Sequence, residues 1–187
     1  MLLGEVLSDR LRLRPVSMED AHDIYEYMCM NEVTRWLFTA CPDMDSCRRY
    51  IKTELLSYKR TGLPSPYALE LIETGKVIGT CNYHSVEEDT AQLGFILNPA
   101  YQHQGYMQEA LEVLLTQGFT TLGYRRIIAM HMIGNEACQR LLERLGFVKE
   151  GVLREAYLRD QEALTMVLYS YLEREWREKN ERISNEI

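Results

Sequence analysis

Several absences narrow this sequence before any motif is read. Its 187 residues contain no stretch of about 18 apolar residues, so no helical membrane span is expected. The first residues show no basic region followed by an apolar run, which argues against a secretory leader. Five cysteines, Cys29, Cys41, Cys47, Cys81 and Cys138, form an odd set without a CxxC pair. Their spacing suits neither a disulfide framework nor a zinc site, so a cytoplasmic protein with no metal is expected. Positive charge is scarce: 21 Lys+Arg stand against 28 Asp+Glu, a formal net charge of −7. Displacing counterions from nucleic acid needs a cationic face, so direct nucleic-acid binding is not expected. An amine or a basic peptide terminus would instead be attracted.

The composition is that of a globular chain, 46% hydrophobic and 26% charged. Its length suits one domain. With no repeat and no linker, the expectation is a single domain over 1–187, its core about 8–172 and a charged helical tail about 171–187.

Alternation of Leu11 and Leu13 with arginines predicts a strand over Arg10–Arg14. Ser17-Met-Glu-Asp20 reads as a helix N-cap with an acidic first turn, the helix running to about Met30. A second helix is expected over Asp45–Arg60, closed by Gly62. Strands Tyr67–Ile72 and Lys76–Tyr83 form a hairpin about Glu73-Thr-Gly75. Ala91–Leu97 is a further strand, stopped by Asn98-Pro99. Met107, Ala110, Leu111, Leu114, Leu115, Phe119 and Leu122 mark an amphipathic helix. Ile127–Met132 follows as a strand and Asn135–Leu145 as a helix ended by Gly146. Two last strands, Phe147–Tyr157 and Ala163–Leu168, flank a polar turn, and a charged helix spans about Tyr171–Arg182. This order packs economically as a mixed α/β sheet with helices on both faces.

The segment from Gly94 to Ala110 carries the most chemistry. A strand ends at a proline, a polar loop with one glycine follows, and a helix begins at once. A helix start offers free N–H groups and the positive end of the dipole, which together suit a pyrophosphate. Gly105 lets backbone approach an anion closely, or simply makes a tight turn. No Gly-Lys-Ser/Thr follows, and a single glycine is no dinucleotide fingerprint.

Gln102-His-Gln-Gly105-Tyr-Met107 resembles the Q/R-x-x-G-x-G/A acyl-CoA loop of the GNAT N-acetyltransferases. Asn135-Glu-Ala-Cys-Gln-Arg-Leu-Leu-Glu-Arg-Leu-Gly-Phe147 is similar to the N-x-x-S/A-x-x-L-x-E-x-L-G-F helix of the same superfamily. Glu150-Gly-Val-Leu-Arg154 resembles the E-G-x-L-R of its RimJ/RimL subgroup, which contains ribosomal-protein N-terminal acetyltransferases. The resemblance implies a GNAT-like central mixed, mostly antiparallel sheet and acetyl-CoA as co-substrate. It implies transfer of acetyl to a primary amine, a protein N-terminus or a small amine, by direct attack in a ternary complex. Coenzyme contacts would come from the loop residues Gln102, His103, Gln104, Gly105, Tyr106 and Met107. Backbone groups of Ile96, Leu97 and Asn98, where the strand is expected to splay, would serve the pantetheine arm and the acetyl oxygen. Asn135 is an N-cap, a pantetheine contact, or both. The chain departs from the pattern at Met107, at Leu142, where many relatives carry tyrosine, and at Cys138, often serine in this subgroup.

Amine acetylation needs a neutral amine and a proton for the departing thiolate. Cys138 is placed by the resemblance near the coenzyme sulfur, as proton donor or as a small buried filler. Glu155, Tyr157, Glu70 and His84 are candidate bases, and a water relay could replace them. Glu155 is expected to share a strand face with Tyr157. His84 is expected to end its strand, and an imidazole titrates at about 6.5, which suits base work. The tyrosines Tyr25, Tyr27, Tyr50 and Tyr58 are expected to pack the first helices around an acceptor cleft. Charges alternating along the tail mark a solvated helix or could support a homodimer. A different class of function, a non-catalytic acyl-CoA-binding sensor or scaffold, is told apart by whether free CoA is released.

Overall fold

A computed structural model of the chain describes residues 4–58 and 63–185. The elements are β1 (Val6–Leu7), β2 (Leu11–Pro15), α1 (Ala21–Met28), α2 (Asn31–Thr34) and α3 (Met44–Tyr50). β3 (Tyr67–Leu71), β4 (Val77–Glu87), β5 (Thr90–Leu97), α4 (Tyr106–Thr120) and β6 (Arg126–Met132) follow. α5 (Glu136–Leu145), β7 (Val148–Arg159), β8 (Glu162–Leu172) and α6 (Glu173–Asn185) complete the chain. The strands hydrogen-bond in the order β1-β2-β3-β4-β5-β6-β8-β7. β5 and β6 run parallel, and the other pairings with a defined register are antiparallel. A parallel pair needs a crossover connection, which α4 supplies. The expected mixed, mostly antiparallel sheet is what forms.

Contacts within the chain gather into two compact units, Met1–His84 with Gly94–Leu114, and Ser85–Leu93 with Leu115–Ile187.

In the first unit, Leu11 and Leu13 of β2 are fully buried, while Arg12 and Arg14 on the other face reach Glu70 at 3.1 and 2.6 Å. Arg14 also meets Asp20, whose carboxylate accepts from the Ser17 N–H and so completes a capping box at the start of a 3-10 turn leading into α1. A bulge opposite Glu70 turns Val77 onto the face of Ala68. There both pack with Ile24, Tyr27 and Met28 of α1 and with Cys47, Ile51 and Leu55. On the opposite face the Tyr83 hydroxyl donates to the Leu114 carbonyl of α4 at 2.8 Å. Helices thus cover both faces.

The expected hairpin turn forms at Gly75, with φ of 72°. β1 and the single turn α2 have too little periodicity to be read from sequence. α3 starts on the Asp43 cap and passes into a π-helical turn, Ile51–Leu55, which apolar spacing does not reveal. The expected helix end at Arg60 and Gly62 lies outside the described residues.

In the second unit, Ile127, Ala129 and His131 of β6 are buried in register with Tyr171, Tyr169 and Val167 of β8. Phe119 and Phe147 pack against Tyr171, and Trp176 packs against Phe119. α5 is closed as expected, by Asn135 at its start and Gly146 at φ 108°. Asp160 and Gln161, both at positive φ, make the two-residue turn between β7 and β8.

Candidate active site

The loop before α4 is built by its neighbours in the first unit. Asn98 ends β5: it is 1% exposed, and its N–H donates to the Ile78 carbonyl at 2.8 Å. Its side-chain oxygen accepts from the Ala100 N–H at 3.0 Å, starting the 3-10 turn Pro99–Tyr101. Its side-chain nitrogen donates to Glu26 at 2.9 Å, and Glu26 is itself paired with Lys76. Asn98 therefore works as a bracket between α1, β4 and the loop.

Gln102, His103, Gln104 and Gly105 are exposed, with His103 at φ 62° and Gly105 at φ 83°. Left-handed residues beside a helix start turn consecutive N–H groups toward one concavity, an anion nest. The Glu109 N–H donates to the Gly105 carbonyl at 3.0 Å. The N–H groups of Tyr106, Met107 and Gln108 lie ahead of that bond, where helix geometry supplies no regular acceptor. The Met107 side chain is buried, so only its backbone faces the loop. Tyr106 lies under the Arg10 guanidinium, 4.3 Å from its ring centroid. Arg10 escapes a motif reading because it lies about a hundred residues upstream.

The end of β5 is chemically distinct from its start. Its parallel ladder with β6 comprises Thr90–Leu93 against Arg126–Ala129, and the strand continues beyond it through Gly94–Leu97. Burial alternates up to Leu93 and then stops, all four following residues being half-buried. Gly79 lets the Ile96 carbonyl come close, for a Cβ there would sit 2.5 Å from that oxygen.

His84 does not end its strand as expected, because β4 continues to Glu87. A Cβ on Gly94 would lie 2.8 Å from His84 Nδ1 and 3.1 Å from the Asn82 side-chain oxygen. That glycine makes room for both. Asn82 donates to the Tyr58 hydroxyl at 2.6 Å, and burial pushes that phenol up to about 12, keeping it neutral. Tyr27 is core, whereas Tyr25 and Tyr50 pack at its margin. Glu70 is held by Arg12 and Arg14 and serves to tie β2 to β3.

In the second unit the Asn135 side-chain oxygen accepts from the Cys138 N–H at 3.1 Å, so Asn135 is a working N-cap. Burial pushes the Cys138 thiol up to about 12, making it a reluctant proton donor. Leu142 is fully buried. Glu155 and Tyr157 lie on β7 and are exposed. The register shifts between Leu153 and Tyr157, and Glu155 adopts φ 51°. This irregularity removes the plain alternation on which a shared face for Glu155 and Tyr157 was expected. The Glu150 of the E-G-x-L-R stretch accepts from Arg126 and Ser170, which holds its carboxyl at about 2. It thereby ties β7 to β6 and β8.

His131 was not singled out by sequence. It is 5% exposed, tilted against Tyr169, with Nδ1 2.9 Å from the Met132 carbonyl oxygen and Nε2 without a partner among the described residues. A carbonyl only accepts, so Nδ1 is the donor of that bond. The only signal in the sequence is a polar residue continuing the inward Ile127, Ala129 alternation.

Among the described residues no cluster of His, Cys, Asp and Glu could hold a metal ion, and no helix is long and apolar enough to cross a membrane.

Comparison with known proteins gives consistent matches. The acetyltransferase (GNAT) domain family matches residues 10–148. The chain is 30% identical over 172 residues to the uncharacterized N-acetyltransferase p20 of Bacillus licheniformis, covering 90% of this chain and 96% of that one. It is 23% identical over 158 residues to the ribosomal-protein-serine acetyltransferase of Escherichia coli (strain K12), covering 80% and 86%. The crystal structure of a GNAT-family acetyltransferase from Bacillus anthracis superposes with a TM-score of 0.80 at 23% identity, covering 91% and 99%, which speaks for the fold.

Proposed function

Because the chain belongs to the GNAT acetyltransferase family and so transfers acetyl to an amine, we propose that its acceptor is the α-amine of a protein N-terminus, attacked directly in a ternary complex. The observation that carries the donor side is the loop Gln102–Met107. Its positive-φ residues and the N–H groups at the start of α4, which helix geometry leaves without intrahelical acceptors, fit the pyrophosphate of acetyl-CoA. In this reading Gly105, Tyr106 and Met107 hold the pyrophosphate through backbone N–H groups, with Gln102, His103 and Gln104 flanking it. The half-buried end of β5, Ile96 and Leu97 with Asn98, offers backbone groups to the pantetheine arm. Asn135 and Cys138 have the roles their helix motif implies.

The choice of acceptor rests on proton inventory. An α-amine titrates at about 7.7–8.0 and is substantially neutral at physiological pH, whereas a lysine-type amine titrates at about 10.4 and needs a dedicated base. Of the candidate carboxylates among the described residues, none is held in place to act as that base. Glu70 is bound by arginines, Glu150 by Arg126, and Glu155 is exposed on an irregular strand. His84, or Tyr157 through water, suffices for an amine that is already largely neutral. The name of the Escherichia coli relative, a ribosomal-protein-serine acetyltransferase, supports a protein acceptor.

The test is steady-state release of free CoA across N-terminal peptides and small amines. Peptides with a free α-amine should turn over, and N-acetylated copies should not. Preference for a polyamine would overturn the acceptor, and coenzyme binding without CoA release would make the chain a sensor or scaffold.

A further inference from the structure

Arg10 meets the donor loop and the first turns of α4 through both its side chain and its backbone. Its Nη1 donates to the Gln104 carbonyl at 2.9 Å and its Nε to Glu109 at 2.8 Å. Its backbone N–H donates to the other Glu109 oxygen at 2.8 Å, where the Ser8 hydroxyl also bonds at 2.7 Å. Its guanidinium covers the Tyr106 ring, and Nη2 lies 3.4 Å from where a Cβ on Gly105 would be. Burial opposes ionisation of Glu109, but these bonds outweigh it and hold the carboxyl below its ordinary range. The pair stays charged.

We infer that Arg10 is the positioning residue of the pyrophosphate loop, acting through the Gln104–Gly105 peptide. In a trans peptide the C=O and N–H point in opposite directions. Arg10 draws the Gln104 carbonyl toward itself and thereby turns the Gly105 N–H the other way, out of the loop. Gly105 at φ 83° can take that peptide orientation without a Cβ penalty. Glu109 fixes the guanidinium from within α4, so the bracket and the helix start move as one. The loop is aimed before ligand arrives, so binding has less to order. Lysine, a point donor on a flexible stem, cannot serve Gln104 and Glu109 together in this planar arrangement.

This inference rests on the donor reading above, and a truncated donor separates the two. S-acetylpantetheine carries the thioester without the pyrophosphate. Relative to wild type, Arg10→Ala should raise KM for acetyl-CoA about tenfold, the size of one lost charge-assisted hydrogen bond, with kcat within about twofold. Its KM for S-acetylpantetheine should be unchanged, and Arg10→Lys should recover only part of the loss. If Arg10→Ala leaves Glu109 uncompensated and fails to fold, the Arg10→Gln/Glu109→Gln pair, which orphans no charge, should show the same selective loss. Equal losses on both donors would mean a general structural role and overturn the inference. Equal use of the two donors by the wild-type chain would instead remove the pyrophosphate site itself, and the inference with it.

Discussion

The loop Asn98–Met107 and the strand Val148–Arg159 both carry motif residues, yet the chain holds them in opposite ways. The loop is exposed at its tip and braced from beneath: Asn98 to Glu26, Ile78 and Ala100, Gln104 to Arg10. In the proposed reading its working groups are backbone N–H groups, whose direction is set by partners. Strand β7 is fixed near its start by Glu150 and then passes through an irregular stretch. Val152, Leu153, Tyr157 and Leu158 are all exposed there, the last at 73%. Its candidate groups are side chains. A backbone site tolerates sequence drift as long as the bracket stays, while a side-chain site changes with each substitution.

The largest effect that can break this contrast is at the loop tip. Gly105→Asp places a carboxylate and a strained positive φ against the pyrophosphate, and should weaken acetyl-CoA binding by at least about a hundredfold in calorimetry. Unchanged affinity would mean that the loop does not hold the donor. Asn98→Ala removes the bracket and leaves Glu26 and the Ala100 N–H without it; KM for acetyl-CoA should rise about tenfold. An unaltered KM would show that the loop holds itself.

On the side-chain half the expected effects are smaller. His84→Ala, Glu155→Gln, Tyr157→Phe and Cys138→Ala should each lower turnover of an N-terminal peptide by less than about tenfold, because an amine near its own pKa needs little assistance. For Cys138 the raised thiol pKa adds that the kcat profile between pH 6 and 10 should not change in Cys138→Ala. A loss of several hundredfold in any one, with coenzyme binding intact, would identify a residue that the chemistry depends on. It would equally show that a side-chain site on this half is more sharply built than it looks.

The smallest effect is on stability. Glu150 titrates at about 2 in the folded chain and at about 4.5 when unfolded. Its folded pKa is depressed, so its contribution is complete above about 4.5 and is lost as pH falls toward 2. For a pair this exposed the contribution is about 1 kcal/mol at neutral pH. Thermal melts of Glu150→Gln should therefore converge on wild type as pH drops through that window. Curves that stay parallel would mean Glu150 ties the strand by packing alone.

The same contrast explains what the sequence makes legible. Apolar periodicity, the Asn135 and Gly146 caps and the Gly75 turn are local signals, and each structural element they mark is present. The donor loop is legible for the same reason, since a strand stop, one glycine and a helix start adjoin one another. Arg10 and Glu26, the residues proposed to aim it, act across 94 and 72 positions, and no local pattern announces them. The shared face of Glu155 and Tyr157 rests on strand alternation, which the bulge removes. His131 looks like one more core position until its Nε2, without a partner among the described residues, is seen.

The most direct test of the acceptor is steady-state CoA release from acetyl-CoA with a panel of free N-terminal peptides, their N-acetylated copies and small polyamines. Turnover is expected on the free peptides alone, with CoA and acetylated peptide formed in equal amounts. Acetyl-CoA binding with no CoA release on any amine, or release driven by polyamines alone, would contradict an N-terminal acetyltransferase.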